Sequence, residues 1–145
     1  MAGTIVADQL EAASTSTLVI KNGVANTPPT VQDSAGTQIG TFCRAWVNFN
    51  GTTVTSPASM TGVRGSFNIT SILDNGTGDY TVNFTTAMPD ANYSCIISVS
   101  NSASNTTITY IKSSTTPTTS LVRVACVNSG AAAVDPDYVN VSIFR

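Results

Sequence analysis

The side chains that could do chemistry are few and poorly placed for it. The chain has no histidine, and its one glutamate is Glu11. Ser–His and Cys–His nucleophile activation and most zinc sites are therefore excluded. Paired carboxylates for glycoside cleavage would have to be aspartates. Most of the acidic residues sit at turns: Asp74 and Asp79 flank an Asn-Gly-Thr-Gly run, and Asp135-Pro136-Asp137 marks another bend. Asp74 and Asp79 together could at most form a weak cation site. The favoured reading is turn chemistry, in which the carboxylates accept hydrogen bonds from nearby backbone amides. Asp135 and Asp137 read the same way. No glycine-rich phosphate cradle follows a strand and opens a helix. No catalytic, cofactor-binding or metal-ligating residue is assigned, and the expectation is a protein that is not an enzyme and needs no cofactor.

What remains is binding chemistry. Tyr80, Tyr93, Tyr110 and Tyr138 could present aromatic and hydroxyl groups to a surface polysaccharide, although most of them read as core. Trp46 beside Arg44 is either a stacking pair at a subunit contact or simple packing, and packing is favoured. The three cysteines, Cys43, Cys95 and Cys126, are widely spaced and odd in number, which gives no disulfide framework. Cys95 and Cys126 lie in apolar runs and read as buried thiols. Asn-X-Ser/Thr triplets are frequent, but a chain this rich in Asn and Thr generates them by chance, and they carry no glycosylation argument.

These residues are positioned by strands. Around Asp74-Asn75-Gly76-Thr77-Gly78-Asp79 the sequence predicts a β-hairpin within Ser66–Ser94. Asn-Gly and Gly-Asp supply the positive-φ positions of a tight turn. The first arm carries Phe67, Ile69 and Ile72. In the second, Tyr80, Val82 and Phe84 alternate with Thr81, Asn83 and Thr85, the pattern of a half-buried strand. Thr41–Asn50 is an earlier strand, with Cys43, Ala45, Val47 and Phe49 facing inward. Later strands are expected at Tyr93–Asn101, Thr106–Ile111, Leu121–Val127 and Tyr138–Phe144, the last closing the fold at the chain's end. Within Leu121–Val127, Val122 and Val124 face the core. Seven or so short strands imply an all-β fold, an antiparallel β-sandwich of jelly-roll-like type. Gly51–Gly65 reads as a long loop, either an exposed recognition loop or a tolerated insertion.

Residues 1–40 read differently and form a predicted extended N-terminal arm, with the sandwich domain at 41–145. Ala7–Ala13 could make a turn or two of helix. Asn26–Val31 favours extended backbone through its prolines, and Asp33–Gly36 is a turn. Such an arm orders itself only against another surface, so it either docks on neighbouring subunits or a partner protein or is a loose leader.

Composition agrees with a β-rich body that binds. The chain has 145 residues, of which 10% are charged and 41% hydrophobic, and a net charge of −2. That is enough for one domain with a modest core. The six Lys and Arg are scattered, which argues against nucleic acid. No window approaches ~18 apolar residues, so no membrane insertion is expected. No basic region precedes an apolar stretch at the start, so no signal peptide is read and synthesis in a cytoplasm is the default.

The stretch Cys43-Arg-Ala-Trp-Val-Asn-Phe-Asn-Gly51, followed by Phe67-Asn-Ile-Thr-Ser-Ile72, Asp74-Asn-Gly-Thr-Gly-Asp-Tyr-Thr-Val-Asn-Phe84 and Met88-Pro-Asp-Ala-Asn-Tyr93, resembles a β-domain of tailed-bacteriophage tail-fibre and virion-appendage proteins, of the type found in phages of aquatic and cyanobacterial hosts. The resemblance covers roughly Ile39–Arg145, and the 51–65 gap is longer than is usual there. It implies a virion protein made in the host cytoplasm: a homotrimeric, non-enzymatic tail fibre or receptor-binding appendage that contacts a host surface glycan. The alternative it implies is a capsid decoration, or cement, protein that stabilises the head. The absence of a shaft repeat favours the alternative or a small tail-tip part.

Overall fold

A computed structural model describes residues 31–100 and 106–145. The helical run at 7–13, the apolar run at 17–21 and the proline segment up to residue 30 lie outside the described residues, as does the turn expected at 101–105. Within them the chain is an antiparallel all-β sandwich preceded by a small hairpin.

That hairpin joins β1 (Val31–Gln32) to β2 (Gln38–Gly40). The expected turn at Asp33–Gly36 is present. The Asp33 carboxylate accepts hydrogen bonds from Ala35 N and Thr37 N, both at 2.9 Å, and Gly36 takes a positive φ of 83°. The last ten residues of the arm are therefore folded back on themselves rather than extended.

The sandwich contains eight strands in two sheets. One sheet has the order β4-β3-β10-β7, from β3 (Cys43–Phe49), β4 (Val63–Phe67), β7 (Ser94–Val99) and β10 (Val139–Phe144). The other has the order β5-β6-β9-β8, from β5 (Ile69–Gly76), β6 (Asp79–Phe84), β8 (Thr107–Ile111) and β9 (Leu121–Asn128). Three pairs, β3–β4, β5–β6 and β8–β9, are neighbours in both sequence and sheet. The other successive strands lie in opposite sheets.

Period-two alternation sets what faces inward. Ala45, Val47 and Phe49 of β3 join Val139, Val141 and Ile143 of β10. They meet Ile72, Tyr80, Val82, Val122, Val124 and Cys126 from the other sheet. Phe49 and Tyr80 meet edge to face with ring centroids 5.1 Å apart, the arrangement favoured by the quadrupoles of the two rings. Each buried valine or isoleucine contributes about 1.5–3 kcal/mol by leaving water.

Two expectations change in detail. Phe67 does not lie on the hairpin arm: it ends β4 in the opposite sheet, and the chain crosses between sheets at Asn68. Asn68 takes φ 57°, a left-handed conformation that asparagine tolerates better than most residues. Its side chain pins the crossing, accepting from Thr86 N at 2.7 Å and donating to Arg44 O at 3.0 Å and Thr86 O at 3.1 Å. The Gly51–Gly65 segment is not a free loop either. Its last three residues belong to β4, Val54 is in the core, and Ser59 forms a two-way bridge to Ile72. With Asp74 N donating to Thr55 O at 3.2 Å, this segment covers the outer edge of β5, an edge that would otherwise present unpaired backbone groups.

Candidate functional site

The expected chemistry-bearing residues separate into supports and surface. Tyr80 is fully buried. Its hydroxyl donates to Asp135 Oδ1 at 2.6 Å, and the same oxygen accepts from Gly78 N at 2.6 Å. Burial, and then the neighbouring carboxylate, push the Tyr80 phenol well above its ordinary value. Asp135 thus performs turn chemistry, but for a turn distant in sequence, the Thr77-Gly78 bend of the central hairpin. Gly78 has φ 65°, and a Cβ there would fall 2.3 Å from Cys126 O, so only glycine fits. Tyr93 is likewise a support. Its hydroxyl donates to Leu121 O at 2.8 Å and Thr118 O at 3.1 Å, its ring packs on Phe84, and burial pushes its phenol up to about 12.

The two aspartates flanking the hairpin do different things. Asp74 accepts from Gly76 N at 2.8 Å, as turn chemistry requires. Asp79 does not bond a nearby amide. It is buried and held by Arg123, with Nε–Oδ1 2.6 Å and Nη2–Oδ2 2.8 Å, and by the Lys112 ammonium. Desolvation opposes its charge, but the Arg123 and Lys112 hydrogen bonds outweigh it and hold the carboxyl below its usual value. These cations cover the outer side of β6, which is why Thr81 is buried and the strand is not the half-buried one that its alternation suggests. Among the described residues, no group of three or more His, Cys, Asp and Glu could hold a metal ion.

All three cysteines are free thiols. Cys126 is buried as expected, and burial pushes its thiol up to about 12. Cys95 is only partly buried at the core margin, where burial pushes its thiol up to about 11. Cys43 and Cys95 stand on the two strands flanking β10. Two strand spacings of about 4.8 Å separate them, beyond the reach of a disulfide.

Exposed apolar side chains remain on two surfaces: Ile108 and Tyr110 on edge strand β8 of one sheet, and a row that crosses all four strands on the outer side of the β4-β3-β10-β7 sheet. Register places Phe67, Trp46, Ser142 and Ile96 on one rung across all four strands. Phe67 is 56% exposed, Trp46 42% and Ile96 56%. The next rung holds Gly65, Asn48, Asn140 and Ser98. There Asn48 Nδ2 donates to Asn140 Oδ1 at 2.5 Å, and Asn140 Nδ2 donates to Ser98 O at 3.5 Å. Gly65 makes room for the tryptophan: a Cβ at that position would lie 3.3 Å from Trp46 Cη2. The indole therefore lies down over β4 instead of standing off the sheet.

A cation–π contact also forms near this face, with Arg64 lying 4.0 Å from the centroid of half-exposed Tyr138. Tyr110 is exposed on the outer side of the opposite sheet, so the four tyrosines form no common site. Sequence reasoning placed Trp46 correctly on the outer face of its strand. It missed Phe67 and Ile96 as its rung neighbours, because a row across a sheet joins positions far apart in the chain.

Comparison with protein-family models, with curated proteins and with solved structures finds no match.

Proposed function

We propose that the protein is a non-enzymatic structural component of a bacteriophage virion, an attachment appendage of tail-fibre type that contacts the host surface. The observation that carries this reading is the Phe67–Trp46–Ile96 rung, exposed on a rigid four-stranded sheet and bordered by Asn48 and Asn140. Exposed apolar side chains gathered on one face mark an interaction surface rather than ordinary solvent-facing residues. The resemblance of residues 43–93 to phage β-domains supports the same reading.

In this role the chain is a homotrimer whose arm docks on other virion proteins. A monomer by light scattering at micromolar concentration would count heavily against the trimer. Val31 and Ile39 of the small hairpin are exposed, Ile39 to 65%, as suits a segment that seats on a neighbouring subunit, in this role or in a second one, a decoration protein on the head.

Mass spectrometry of purified particles, with immunogold labelling, tests both readings. Gold at the tail supports attachment, and gold over the head supports decoration. Absence of the protein from particles would overturn both.

A further inference from the structure

We infer that the outer face of the β4-β3-β10-β7 sheet binds an acidic polysaccharide, with Trp46 and Phe67 as the stacking platform and Arg64 as the anion contact. The inference rests on the attachment reading above and names what is attached to.

Shape is the first argument. The indole of Trp46 lies over Gly65 beside Phe67 on the same rung. An aromatic surface held this way suits the C–H face of a sugar ring, whose weakly positive hydrogens meet the negative face of the π-system. The Asn48–Asn140 pair beside it offers amide groups to hydroxyls. Both belong to strands inside a sheet, so they are ordered before ligand arrives, which lowers the entropic cost of binding.

Charge decides the class of sugar. Strands β3, β4, β7 and β10 contain no Asp or Glu, and the exposed cation among their residues is Arg64. The chain as a whole has net charge −2, so the strands of this sheet hold no carboxylate to repel an anion although the protein is acidic. Arg64 is exposed, and its neighbour is the Tyr138 ring rather than a carboxylate among the described residues. A guanidinium stacked on an aromatic ring keeps N–H donors in its plane for a carboxylate or sulfate. Two copies of this face brought together would oppose like charges, which disfavours a symmetric self-contact.

The test is biolayer interferometry of the full chain on immobilised polyuronate, sulfated galactan and neutral dextran, at about 25 and about 250 mM salt. Light scattering is run on each variant. Binding is expected to at least one acidic polymer and not to dextran, and to weaken several-fold at the higher salt. Trp46→Ala is expected to lower affinity about tenfold, and Arg64→Gln about three- to tenfold at low salt with a flatter salt dependence. Tyr110→Ser, on the other sheet, should leave binding unchanged. Ile96→Asn, at the far end of the rung, guards against misfolding of the tryptophan variant and should also weaken binding.

Failure to bind either acidic polymer, equal binding to dextran, or unchanged binding by both Trp46→Ala and Arg64→Gln would overturn the inference. So would conversion of an oligomer to monomer by Trp46→Ala without a glycan signal, which would assign the face to a second copy. A chain found on particles that binds no acidic polymer sinks this inference alone. A chain that binds but is absent from particles sinks the virion reading alone.

Discussion

On the outside of the β5-β6-β9-β8 sheet, Asp79 is gripped by Arg123 and Lys112, and Thr81 and Ala125 are buried around it. On the outside of the β4-β3-β10-β7 sheet, the central rungs hold Trp46 and Ser142, then Asn48 and Asn140. Both surfaces are built on antiparallel strands with equally apolar inner faces. They differ in whether the outward side chains satisfy one another. The cluster around Asp79 ties one carboxylate to two cations over the central strands, and the apolar side chains this face still exposes, Ile108 and Tyr110, lie on its edge strand β8. The tryptophan face has amides bonded in pairs, but its apolar area and one guanidinium lack a covering element among the described residues. A sheet face becomes a binding surface where its outward residues leave area uncovered, and a supporting surface where they close on themselves.

The largest expected effect comes from breaking the closed face. Asp79→Ala leaves two cations facing a partly buried site. Removing one partner of a buried ion pair costs about 3–5 kcal/mol. Because Arg123 and Lys112 keep some access to water, the expected loss is about 2–3 kcal/mol in urea unfolding. A loss below about 0.5 kcal/mol would mean that the cluster does not stabilise the fold.

The same group sets a pH dependence. The Asp79 carboxyl is held below its ordinary value in the folded protein. Its contribution is therefore fully present above the unfolded carboxylate value of about 3.9 and is lost as pH falls through the lower, folded one. Wild-type stability should drop more steeply below about pH 4 than that of Asp79→Asn. Parallel curves would remove Asp79 from the account.

A middle-sized effect belongs to the open face. Asn48→Ala breaks the amide pair with Asn140 and should cost about 1 kcal/mol, measured by thermal unfolding. The smallest effect is the most telling. Phe67→Thr combined with Ile96→Thr keeps strand-compatible residues at two exposed positions and should change stability by less than about 1 kcal/mol while weakening any surface contact. A larger loss would show that these side chains support the fold as the Asp79 cluster does.

Much of the fold was legible in the chain. Tyr80, Val82 and Phe84 announce their inward face by alternation, as do Val139, Val141 and Ile143, because a side-chain period of two leaves one register that buries them all. The hairpin turn was legible from Gly76 and Gly78, since few other residues take positive φ. Asp79 was misread as a turn residue because its partners are Arg123, on the neighbouring strand β9, and Lys112, just past β8, and nothing local marks either. Phe67 was assigned to the wrong sheet because Asn68, a single residue in left-handed geometry, carries the chain across the sandwich. The 51–65 segment looked like a loop because its bridge to Ile72 is a backbone contact, which leaves no side-chain signature.

By itself the amino-acid order determined which apolar side chains of the central strands face inward and where the tight bends fall, since hydrophobic alternation and glycine conformational freedom are local properties. Which strands lie side by side was left to tertiary structure. That choice alone put Phe67, Trp46 and Ile96 on one rung and set Asp79 between Arg123 and Lys112, because lateral pairing joins residues that chain distance does not relate.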